Sequence, residues 1–86
     1  MDTRFLLMAR YDASPVIPLD RVRKDFFPHL AAPMFLRKLK EGSIALPLIS
    51  IEPSQKSAKG IHLDDLAKYL DKRREEALKT FAHLHM

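Results

Sequence analysis

From Thr3 to Tyr11 the chain consists of helix formers without proline or glycine. Phe5, Leu6, Met8 and Ala9 predict an apolar stripe there, with Asp2 or Thr3 as the cap. Asp12, Ala13, Ser14 and Pro15 break that helix, because Asp, Ser and Pro favour turns and the residue before a proline is held out of the helical region. Val16 and Ile17 are a β-branched pair, enough for one rung of a small sheet. A second helix starts around Pro18, Leu19 and Asp20. Leu19, Val22 and Phe26 fall at helical spacing, and Asp20, Arg21, Arg23 and Lys24 face water.

Phe27, Pro28, His29 and Leu30 form a turn, and Pro33 suits the first position of a third helix, where a missing N–H costs little. Phe35, Leu36 and Leu39 are its buried stripe. Met34, Arg37, Lys38 and Glu41 share the outer face, with Lys40 beside it and Gly42 as the left-handed residue that ends the helix. The branched run from Ile44 to Ile51 reads as a strand that Pro47 confines to a sheet edge or bends. The polar stretch from Glu52 to Lys59 is a hairpin loop, and Ile61 and His62 form the returning strand. A last helix runs from Asp64 or Asp65 to about His83, with an acidic side chain at the positive end of its dipole.

The expected fold is mainly α with a small β-hairpin wing. It is a winged helix-turn-helix with an added N-terminal helix and a long C-terminal one. Eighty-six residues allow one domain over 1–86, with residues 71–86 as a helical extension. A hydrophobic share of 47% argues against wholesale disorder. Having no cysteine, the chain lacks disulfides, thiolate catalysis and cysteine-based zinc sites. The apolar run after Arg4 is about five residues, too short for a signal-peptide core or a membrane span, so the expected location is cytoplasmic, with no membrane partner.

The net charge of +4 is less informative than its distribution. Residues 1–62 hold ten basic and six acidic side chains, whereas residues 63–86 hold five of each. Cationic residues on a short helix beside a cationic hairpin suit duplex DNA, one element entering the major groove and the other lying along phosphates. Arg37 and Lys38 are the sharpest candidates for reading bases, with Lys40 beside them and Met34 placed to touch a thymine methyl. His29, Arg21, Arg23 and Lys24 are candidate phosphate contacts, and Gln55, Lys56, Ser57 and Lys59 form the candidate wing tip.

The bland readings are solubilising charge for the helix and a mobile polar loop for the wing. The irregularly spaced His29, His62, His83 and His85 do not make a metal site. Ser54 and Ser57 lack a neighbouring base, and with only Gly42 and Gly60 no glycine-rich phosphate loop is possible. No enzyme, cofactor or metal is therefore expected. Leu70, Ala77, Phe81 and Leu84 recur on one face of the last helix and predict self-association as a dimer or small oligomer. The bland alternative is that this face folds back on Phe5, Leu6 and Met8 of the same chain.

The stretches TRFLLMARYDASPVIPLDRVRKDFF, FLRKLKEGSIALPL and SQKSAKGIHLDDLAKYLDKRREEA closely resemble the pyocin activator family, over roughly Thr3 to Ala77. That resemblance implies a bacterial transcriptional activator that binds an element upstream of the genes for pyocins, phage-tail-like bacteriocins, and then engages RNA polymerase. More distantly, the order of helix, turn, FLRKLKEG, hairpin and GIHLDDLAKYL looks like phage excisionase and MerR-type winged domains. The chain keeps Gly60 and the Asp64–Asp65 helix start of that pattern, with His62 at a position that is usually arginine-like. The rival expectations are an excisionase-like architectural DNA-binding protein and a protein-interaction module such as an antirepressor.

Overall fold

Four helices and three short strands follow one another along residues 2–86, the part of the chain that the structure, a computed structural model, describes. Met1, included in the expected domain, lies outside the described residues. Helix α1 spans Thr3–Arg10, strand β1 Val16–Pro18, helix α2 Leu19–Phe26 and helix α3 Ala32–Lys40. Strand β2 is Ile49–Ser50, β3 is Lys59–His62 and helix α4 is Leu63–Leu84. The sheet is antiparallel in the order β1-β3-β2, with Ile17 opposite Ile61 and Ile49 opposite Gly60. Helices α2 and α3 with the β2–β3 hairpin give the winged helix-turn-helix layout.

The core gathers where the faces of these elements meet. Ile17, Val22, Phe35, Ile61 and Leu66 are fully buried, and Leu39, Leu63 and Ala67 close around them. Phe27 belongs to this core too. Assigned to the turn from sequence, it is buried and stacks on Phe35 with ring centroids 4.9 Å apart.

Three expectations need correction. In α1 the predicted stripe of Phe5, Leu6, Met8 and Ala9 is exposed, and Leu7 with the following Tyr11 enters the core instead. The reason is which groups α1 brings to α4. Thr3 bonds Asp71 and Arg4 pairs with Asp64 at 2.8 Å, which turns Leu7 inward and leaves the larger apolar face outside. Secondly, the long strand predicted from Ile44 shrinks to Ile49–Ser50. Pro47 has no N–H to give a ladder, and Ile44 and Leu46 are buried by an extended segment that covers the core without pairing. Thirdly, α4 begins one residue before Asp64, at Leu63, and the cap is His62, whose Nδ1 accepts the Asp64 N–H at 3.0 Å.

Two backbone sites fix how the elements join. Asp12 and Ala13 both have positive φ, 53° and 57°, so the chain reverses sharply after α1 on two consecutive left-handed residues that are not glycine. Gly60 sits in the central strand with no space above it. A Cβ there would lie 2.6 Å from the Ile17 carbonyl oxygen and 2.6 Å from Val16 Cγ1.

Candidate nucleic-acid interface

Helix α3 turns its buried stripe, Phe35 and Leu39, toward the core, so the opposite face is Met34, Arg37 and Glu41. Arg37 stands well out, its side chain 72% exposed, with only a loose contact of 3.6 Å to Glu41 one turn on. Lys40 and Lys38 occupy opposite flanks. Lys38 is half-buried on the flank away from the wing, and its backbone carbonyl accepts the Ile44 N–H. Lys40 is exposed and lies on the flank beside the wing. Which of the two lysines stands beside the wing follows from the rotation of α3 against the hairpin.

The hairpin β2–β3 holds itself in shape. Ile51 N–H donates to the Ala58 carbonyl at 3.0 Å, and the Ser57 hydroxyl donates to the Glu52 carbonyl at 2.9 Å. Ser57 is thereby engaged within the turn. Lys59, half-buried, bends back so that its ammonium donates to the Gln55 carbonyl at 3.1 Å. Gln55 and Lys56 are exposed at the tip.

Between α3 and this wing runs an open groove of about 570 Å³. Leu36, Leu48 and Pro53 give it an apolar floor, and Lys40 and Lys59 stand at its edges. The structure thus sets the third helix and the hairpin side by side, although residues 41–48 separate them in sequence.

The α2 candidates divide. Arg23 is only 19% exposed, because Nε contacts Asp20 at 3.0 Å and Nη1 donates to the Leu30 carbonyl at 3.0 Å. It braces the α2–α3 turn. Lys24 is exposed and pairs with Asp20 at 3.1 Å. Arg21 lies over the Tyr11 ring, 4.7 Å from its centroid, on the side facing α1. His29 is exposed on the α2–α3 turn, its ring tilted toward Phe27. Met34 is 42% exposed on the outer face of α3.

Behind this surface a polar cluster anchors α1 to α2. The Tyr11 hydroxyl donates to Asp25 at 2.6 Å, and Arg10 Nη2 approaches the other carboxylate oxygen at 3.0 Å. Hydrogen bonds from Arg10 and then Tyr11 hold the Asp25 carboxyl below the ordinary carboxylate range. Burial, reinforced by the bond to Asp25, pushes the Tyr11 phenol up.

Among the described residues, no helix is long and apolar enough to cross a membrane. Neither the curated proteins nor the solved structures give a match to the chain. The profile of one protein family, described as pyocin activator protein PrtN, matches residues 3–77. That span runs from the first residue of α1 through both the α3–wing surface and the first two-thirds of α4. The chain belongs to the pyocin activator protein PrtN family.

Proposed function

We propose that this protein is a sequence-specific DNA-binding activator of pyocin-type bacteriocin genes. The observation that carries the reading is the pairing of an exposed cationic helix with a cationic hairpin along one groove, in a chain whose family is named for pyocin activation. Helix α3 is the major-groove element. Arg37, free of strong intramolecular partners, reads a guanine edge through its paired donors, and Met34 packs on a neighbouring thymine methyl. Lys40, Lys56 and Gln55 hold phosphates on the wing side, and His29 and Lys24 do so on the turn side. Arg23 is left out of this set because its donors are already used within the protein.

Binding to a duplex of the gene-upstream region, followed by fluorescence anisotropy over a series of salt concentrations, tests the reading. A steep fall of affinity with salt is expected from counterion release. Arg37→Ala is expected to cost roughly 1–3 kcal/mol on the specific site and much less on unrelated duplex. Lys40→Ala with Lys56→Ala weakens both about equally and flattens the log–log salt slope by about two units. Binding that ignores salt, or no binding to any duplex, overturns the proposal and leaves the winged surface as a protein-interaction face.

A further inference from the structure

Two apolar surfaces have no cover among the described residues. The first is the outer face of α1. A surface helix ordinarily turns its charged face to water, but here Thr3 and Arg4 turn toward α4 and Arg10 toward Asp25, leaving Phe5 69% and Leu6 53% exposed. The second is the far half of α4. Its inward stripe begins with the buried Leu63, Leu66 and Ala67 and the half-buried Leu70, then continues through Ala77, Phe81 and Leu84, all three of them exposed. Every residue from Asp71 onward is exposed, so the helix leaves its own core after about two turns and carries the same stripe into solvent.

We propose that these two surfaces form one interface, covered by a second copy of the chain with the two α4 helices antiparallel about a two-fold axis at Ala77. Two of its leucines are placed evenly about that residue: Leu70 precedes it by seven positions and Leu84 follows it by seven. An antiparallel pair therefore sets Leu70 against the partner's Leu84, places the small Ala77 where the helices approach most closely, and brings the Arg73 guanidinium to the partner's Phe81 ring, a favourable cation–π pairing. The overlap from Leu70 to Leu84 is about 22 Å long.

This register accounts for α1 as well. Thr3 bonds Asp71, so the start of α1 lies beside the point on α4 where the partner's helix end arrives. The partner's Leu84 and the residues that follow it then lie beside the start of α1, against Leu6, as well as on Leu70. A two-fold interface repeats each contact, so both exposed faces of both copies are buried by one arrangement. The interaction concerns the protein alone and stands or falls independently of DNA binding.

Sedimentation equilibrium of the full chain is expected to show a dimer at tens of micromolar. Phe81→Asp is expected to weaken it at least ~30-fold, as for a buried aromatic anchor, with an unchanged circular dichroism spectrum, because Phe81 makes no part of the monomer's core. Leu6→Glu weakens it as well, which an α4-only pairing does not require. Since the protein has no cysteine, single introduced cysteines report the register cleanly. Ala77→Cys is expected to form a disulfide-linked dimer readily on mild oxidation, and Leu84→Cys to resist it. A monomer at tens of micromolar, a dimer indifferent to Phe81→Asp or to Leu6→Glu, or efficient cross-linking through Leu84→Cys with none through Ala77→Cys, overturns the proposal.

Discussion

Tyr11 places its ring in the core and its hydroxyl on Asp25, so a single contact between α1 and α2 responds to pH at both ends of the scale. Asp25 binds a proton less readily in the folded protein than in the unfolded chain, chiefly through its bonds from Arg10 and Tyr11. Its contribution to stability is therefore present above about pH 4 and is lost as pH falls through the depressed folded value. Tyr11 works in the opposite sense, since burial and then Asp25 raise its folded value. Its contribution is complete below about pH 10 and is lost as pH rises further, because the unfolded chain ionises first. Tyr11→Phe is expected to lower stability by about 1.5 kcal/mol at neutral pH, as for a bond to a charged acceptor, and to make the alkaline limb of a thermal-melt pH profile shallower. At Gly60, Ala is expected to cost about 1–3 kcal/mol in chemical denaturation, because its methyl meets a backbone carbonyl that cannot rotate away. Neither effect was legible in the sequence. Periodicity marked Leu7 and Tyr11 no more strongly than Phe5 and Leu6, and a lone glycine before a strand says nothing of how closely the neighbouring strand approaches.

Elements were more legible than the residues that join them. Pro15, Pro33 and Gly42 act on the backbone of their own segment, so the break after α1 and the start and end of α3 follow from local chemistry, and Gly42 does adopt the left-handed φ of 81°. The run from Ile44 to Ile51 failed because its branched residues satisfy a buried extended segment as well as a strand, and only the partner strand decides which. The candidate interface was legible as a set of segments but not in detail. Which lysine of α3 stands beside the wing depends on the helix's rotation against the hairpin, and Arg23 looked solvent-facing because the Leu30 carbonyl it binds is presented by a turn. A brace and a phosphate contact are separable by experiment. Arg23→Met is expected to lower stability by about 1–2 kcal/mol through the lost charged hydrogen bond while leaving the salt dependence of DNA binding unchanged. A flatter slope would return Arg23 to the phosphate-binding set.

At the scale of the whole molecule the long dimension, 50 Å against 28 and 20 Å, follows from the far half of α4 reaching beyond the body of the domain. Amide hydrogen exchange is the direct readout of whether that half is covered. In the native protein at tens of micromolar the amides of residues 75–84 are expected to be protected, and in Phe81→Asp to exchange close to the rate of an isolated helix, with Ile61 in the central strand slow in both. The junction of β3 with α4 bears on what such a pair of molecules does. Strand β3 ends at His62 and α4 starts at Leu63, with no loop between them and with His62 itself serving as the helix cap. Strand β3, the returning arm of the wing, and the long helix are consequently joined without an intervening loop. In the proposed dimer this joint restricts how far the DNA can adjust the distance and angle between the two wings. An operator lengthened by one base pair between its half-sites turns one of them by roughly 35° against the other, a rotation this joint resists. On the proposed reading, the pair is expected to discriminate operators by half-site spacing as well as by base sequence.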